Sequence, residues 1–74
     1  MESTGVSSTT LASVAYDEAR ELLELEFCGH AVYRYFGVPA EVHRGLLGSS
    51  SKGAYFNEVI RNRYQFERAV ERRD

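Results

Sequence analysis

The sequence predicts an α+β domain: a three-stranded antiparallel meander with two C-terminal helices packed on one face, in the order β-β-β-α-α. Three observations lead there. Residues 10–36 hold three short runs, divided by turn-forming residues, in which side chains of one kind recur at every second position, the period of half-buried strands. The period changes at Val38-Pro39, which contains the only proline, and apolar residues then recur at spacings of three and four. The chain has 74 residues, 43% of them hydrophobic, enough for one domain with one core.

The elements follow in order. Residues 1–8 are small and polar and are expected to form a disordered tail before a single domain over residues 9–68. The first strand is expected over Thr10 to Tyr16, with Ala12, Val14 and Tyr16 on one face and Leu11, Ser13 and Ala15 on the other. Asp17-Glu18-Ala19-Arg20 is a turn, its aspartate suited to bonding the backbone further on. Glu21 to Phe27 alternates most clearly: Leu23, Leu25 and Phe27 point one way, Leu22, Glu24 and Glu26 the other. Cys28-Gly29-His30 closes a second hairpin. The run His30 to Gly37 is the central strand, and Pro39 opens a helix in which Val42 and Leu46 share a face, Gly48 marking its end. Ser49-Ser50-Ser51 supplies N-caps for a second helix over about 51–63, with Tyr55, Phe56, Val59 and Ile60 as its apolar stripe. Tyr64 and Phe66 alternate across Gln65, an extended return over the core. Residues 69–74 are a charged tail.

Arg34 decides which way the central strand faces. If Tyr33 and Tyr35 pointed to solvent, Arg34 would enter the core unpaired, at large cost. If they face the helices with Leu23, Leu25 and Phe27, Arg34 lies on the open face beside Glu24 and Glu26 and pairs with them across the strands. The second arrangement is expected. It leaves acids on the open face, which repel phosphate, so a base-stacking platform there is disfavoured.

Composition narrows the function. Cys28 is the only cysteine, so no intrachain disulfide forms, which suits a reducing, cytoplasmic compartment. The sequence shows no basic-then-apolar leader, and no apolar run approaches the roughly 20 residues that span a bilayer. Residues 1–51 carry three arginines against seven acids, and residues 52–74 carry six basic groups against four acids, so attraction to polyanions belongs to the C-terminal third.

Two blocks of residues look familiar. Gly29 to Pro39, with Tyr33-Arg34-Tyr35 and then Val38-Pro39, resembles the centre of the KTSC domain, named for the C-terminal region of some lysyl-tRNA synthetases and found also as a stand-alone small bacterial protein. Ser51-Lys52-Gly53-Ala54-Tyr55-Phe56-Asn57, followed by Ile60-Arg61 and Tyr64, agrees, as does Ser8 to Asp17. The likeness covers about residues 8–68. Gln65 departs from it, standing where many members carry proline. The family motif implies mainly structural roles for Tyr33, Tyr35, Pro39, Tyr55, Phe56 and Asn57. The domain is of unknown function, and its association with a tRNA synthetase implies RNA or tRNA as a partner.

The most site-like stretch is Gly48 to Gly53, where hydroxyls, glycines and Lys52 meet a helix N-terminus receptive to anions. Ser51, Lys52 and Gly53, helped by Arg61 and Arg63, are the expected anion or RNA contacts; the alternative is a serine cap on a loop, with Gly53 permitting close backbone approach to a partner or to the sheet. It is not a Walker motif, since no Gly-Lys-Ser/Thr stands at the required spacing. Cys28, His30 and His43 lack the paired spacing of a zinc site, and no carboxylate pair stands in apolar surroundings, so no metal, cofactor or catalytic residue is expected. The expected function is a non-catalytic binding module engaging RNA or another polyanion through the side of the second helix. The alternative is a protein–protein module, homo-oligomeric or not, using the sheet rim or open face, with Phe36, Leu22 and Val32 as its apolar spot.

Overall fold

Alternation along residues 11–36 is realised as hydrogen-bonded strands in the structure, a computed structural model that describes residues 3–5 and 10–69. The strands are β1 (Ser3–Gly5), β2 (Leu11–Asp17), β3 (Leu22–Phe27), β4 (Val32–Phe36) and β5 (Gln65–Arg68). They form one antiparallel sheet in the order β1-β2-β3-β4-β5. Helix α1 is Ala40–Gly48, with Pro39 as its N-cap rather than inside its first turn. Helix α2 begins as α over Lys52–Tyr55 and continues as a π-helical turn over Phe56–Ile60. Both helices pack on one face: Val38, Leu46, Phe56 and Ile60 join Leu11, Val14, Leu23, Leu25 and Tyr35 in the core.

The α+β class and the β2-β3-β4 meander are as expected, but the strand count is corrected. The outer edges of β2 and β4 would present unpaired backbone groups, and each is covered. On one side Ser3–Gly5, from the stretch expected to be a disordered tail, pairs with β2 in the register Ser3↔Ala15 to Gly5↔Ser13. On the other side β5 pairs with β4, Tyr35 opposite Phe66 and Arg34 opposite Glu67. The extended return is therefore present, but it extends the sheet instead of lying over the core. The N–H of Ala69 carries the ladder one step further, to the carbonyl of Val32 at 2.7 Å. The rest of the expected charged tail lies outside the described residues.

The faces of β2 need a second correction. Leu11 opposes Phe27 while Ser13 opposes Glu26, so the register slips by one residue at Ala12. This bulge places two residues against one and breaks the period of two. Leu11 therefore shares the core face with Val14, both fully buried, and Ala12 is exposed.

On β4 the orientation follows Arg34. Its Nε donates to Glu24 Oε2 at 3.0 Å and its Nη1 lies 3.6 Å from Glu67. Glu26, the other expected partner, instead accepts from the Ser13 hydroxyl at 2.9 Å. It sits two register positions from Arg34, opposite Val32, whereas Glu24 is directly opposite the arginine. Tyr35 turns inward and is buried.

Helix α1 is anchored through Tyr16. The tyrosine hydroxyl donates to the carbonyl of Val38 at 2.6 Å, and its ring stacks on His43 with centroids 4.6 Å apart. Gly45 lies against the ring of Tyr55, and a Cβ there would collide with it, so this glycine lets α1 and α2 approach.

Candidate functional site

The stretch expected to contact anions forms the N-terminal cap of α2. Ser51 is the N-cap of α2 and its Oγ accepts from the N–H of Ala54 at 3.4 Å. The hydroxyl of Ser49 donates to the carbonyl of Ser51 at 2.9 Å and accepts from its N–H at 3.1 Å. Lys52 Nζ donates to the carbonyl of Ser49 at 3.1 Å. Gly53 is placed against the sheet side of the molecule: a Cβ there would lie 2.6 Å from the hydroxyl of Thr10, just before β2. Of the two alternatives left open for Gly53, close approach within the domain is the one observed.

Arg61 and Arg63 fall beyond α2. The helix, expected to run to residue 63, ends at Ile60 and residues 61–63 form a turn. The cause is the π-turn, in which the N–H of Arg61 reaches the carbonyl of Phe56 at 2.9 Å, an i to i+5 bond. Phe56, Asn57, Val59 and Ile60 are mediocre helix formers, and the chain widens here before leaving the helix. The turn then directs the chain back along β4 as β5.

That return builds a pocket no single segment announces. Its volume is about 520 Å³, and it is lined by Phe27, Tyr33, Tyr35, Phe56 and Phe66 with Arg61 and Asn62. Consecutive rings touch around a closed cycle. Phe27 meets Tyr33 at 5.6 Å between centroids, Tyr33 meets Phe66 at 5.8 Å, and Phe66 meets Tyr35 at 5.4 Å. Tyr35 meets Phe56 at 5.7 Å and Phe56 closes the cycle on Phe27 at 5.2 Å. Separations near 5 to 6 Å with tilted or edge-on planes are favourable aromatic geometry. Tyr35 and Phe56 are buried, Phe27 and Tyr33 half-buried, and Phe66 is 54% exposed.

The exposed Arg61 places a positive charge in the lining of the pocket. Burial pushes the Tyr35 phenol above its ordinary range, with a further push from Tyr33, while the Arg61 guanidinium draws it back. Arg61 Nη1 also donates to Asn57 Oδ1 at 3.4 Å, a bond that steadies it across one helical turn. Arg68 sits over the ring of Tyr33, its guanidinium carbon 5.9 Å from the centroid.

Of the five residues singled out as anion contacts, Arg61 alone lines this pocket; Ser51, Lys52, Gly53 and Arg63 do not. Of the family-motif residues, Tyr33, Tyr35 and Phe56 line it, whereas Tyr55 packs on Gly45 and Pro39 caps α1. Asn62, Phe27 and Phe66 also line the pocket without being singled out by the sequence. The sequence signal for Phe66 is its alternation with Tyr64, and for Phe27 its place on the face of Leu23 and Leu25. The aromatic surface lies on the helix side of the sheet, at the end where β5 pairs with β4.

Among the described residues no three His, Cys, Asp or Glu side chains converge on a common point. No helix there is long and apolar enough to cross a membrane.

A short antiparallel sheet, two helices on one face and an aromatic pocket at one end define a small α+β domain. Its sequence matches the KTSC domain model over residues 7–64, and the chain belongs to the KTSC domain family. It is 41% identical over 61 residues to an uncharacterized protein of Stutzerimonas stutzeri (strain A1501), covering 82% of this chain and 86% of the relative. It is 34% identical over 59 residues to a lysine–tRNA ligase of Nostoc punctiforme, covering 80% of this chain but 10% of the ligase. The crystal structure of a KTSC domain protein from Yersinia pestis superposes with a TM-score of 0.90 at 30% identity, covering 93% of this chain and 97% of that one. The likeness to the ligase is thus to one domain-sized piece of it.

Proposed function

We propose that the domain is a non-catalytic binding module that engages RNA through the side of its second helix, in a reducing, cytoplasmic setting. One observation carries this reading: the exposed Arg61, in the turn that follows α2, lines an aromatic pocket. Arg63, in the same turn, and Arg68, on the strand that follows, add positive charge to the same end of the chain. Arginines supply affinity through phosphates, and aromatic rings accept bases that are not stacked in a duplex. The occurrence of a similar segment in a lysine–tRNA ligase makes tRNA the first RNA to try. Lys52 is a lesser contributor, because its ammonium is already held by Ser49.

Titration of tRNA and of single-stranded RNA at low and moderate salt tests the reading. Affinity is expected to fall as salt rises. The double substitution Arg61→Ala/Arg63→Ala is expected to flatten the logarithmic slope by about 0.7 for each phosphate that is no longer neutralised. Absence of binding at low salt, or affinity indifferent to salt, overturns it.

A second reading rests on Phe36, which is 41% exposed on the open face and pairs in register with Leu22. This is a small apolar spot suited to a protein partner or a second copy. Val32, expected to enlarge it, is buried, and the Arg34–Glu24–Glu67 cluster interrupts the face. Light scattering at rising concentration, with Phe36→Ser as the control, distinguishes self-association from a monomer.

A further inference from the structure

We infer that the aromatic cycle receives one unpaired nucleobase, with the phosphate of that nucleotide held by Arg61 and the base edge facing the Asn62 amide. The inference rests on the RNA reading above and gives it a location. Its volume of about 520 Å³ falls within the roughly 300–1,000 Å³ of small-molecule sites. Three features select the occupant. The walls are five π-faces and edges in mutual contact, which suit a flat aromatic guest. Phe66, the exposed ring, provides an accessible stacking surface against a floor of Tyr35 and Phe56.

The third feature is charge. An aromatic cage can also hold an alkylammonium group, but Arg61 lines this one and Arg68 already lies over Tyr33, so a second cation would be repelled. A purely aliphatic guest would leave the Asn62 amide and the Arg61 guanidinium with nothing to recognise. A base carrying a phosphate uses rings, amide and guanidinium together. The acids nearest in sequence do not oppose it: Glu67 is turned to the other sheet face, 3.6 Å from Arg34, and Glu58 is exposed on α2.

The test compares one short single-stranded RNA with an otherwise identical strand whose sugars lack bases, each titrated against the intact chain and against Phe66→Ala. Phe66 lies on an exposed edge strand, so its truncation leaves the core in place; Phe66→Tyr, which keeps a stacking ring, is the second variant. Removing the bases is expected to weaken binding by about five- to 150-fold, the range for removal of one stacked base. Phe66→Ala is expected to weaken the intact strand by a similar factor, to leave the abasic strand unchanged, and to be rescued in Phe66→Tyr. Equal affinity for intact and abasic strands overturns the base pocket and leaves the phosphate-binding reading standing. Failure of every RNA to bind at low salt overturns both.

Discussion

The two ends of the helix-covered face are built from similar residues and finished differently. At the α1 end Tyr16 gives its hydroxyl to Val38 and its ring to His43, and Val38 and Leu46 beside it are fully buried. At the β5 end five aromatic rings touch one another, yet one is half exposed and together they line an open pocket. Aromatic residues at the first end are used up by their neighbours. At the second they have surface left over, and an arginine and an amide stand beside it. A domain this small has little stability to spare, about 5 kcal/mol, so the two ends should differ in what a truncated side chain costs.

Truncation at each end breaks this contrast most directly. Leu46→Ala removes a fully buried side chain and is expected to cost about 2–5 kcal/mol, which chemical denaturation would read as loss of much or all of the folded state. Phe66→Ala, at the open end, is expected to cost about 1 kcal/mol or less, in keeping with the smaller penalty of substitutions outside the core. Equal losses at both sites would mean that the pocket end is ordinary core.

Gly45→Ala gives a smaller effect. Alanine is the better helix former by about 1 kcal/mol, but its Cβ would run into the Tyr55 ring. Overpacking costs about 1–3 kcal/mol, so a net loss is expected, partly recovered when Tyr55→Phe trims the hydroxyl. A gain in thermal midpoint for Gly45→Ala alone would show that Tyr55 moves aside freely.

The smallest effect concerns pH. Burial, and then Arg44, hold the His43 imidazole below its ordinary value of 6.5. The unfolded chain therefore takes up a proton as pH falls through 6.5 before the folded chain does. This contribution to stability is complete above that value and is lost as pH falls toward the folded-state pKa. Stability measured between about pH 5 and 7 should rise with pH, and His43→Gln should make the rise shallower. An unchanged slope would mean that the stack on Tyr16 leaves His43 as accessible to protons as in the unfolded chain.

The contrast also explains what the sequence discloses. The meander, the inward tyrosines and the outward Arg34 follow from local alternation and the cost of burying a guanidinium, both of which act within a few residues. The bulge at Ala12 is invisible because it breaks the periodicity that would reveal the strand. The π-turn is invisible because Phe56 to Ile60 carries the apolar spacing of an ordinary helix. Strand β1 is too short to show a pattern, and the alternation of Tyr64 and Phe66 discloses an extended segment at β5 but not that it pairs with the edge of β4. The pocket is further removed still. Phe27 and Tyr33 meet across the β3–β4 hairpin and Phe56 comes to them from α2, but Phe66 joins only through the turn at residues 61–63. Arg61 is legible as a cation of the basic third and Phe27, Tyr33 and Tyr35 as one inward face, but not that the two come together.

Arg34 has a consequence beyond the charge it neutralises. Strand β5 is four residues long and alternates Phe66 toward the rings with Glu67 toward the acid-rich face. Sliding it by one residue would exchange the two, sending a carboxylate into the aromatic cycle and a phenyl ring into water. Glu67 meets the guanidinium of Arg34 only in the observed alignment. The pair therefore acts as a key on one face of the sheet that sets the combination of side chains presented on the other.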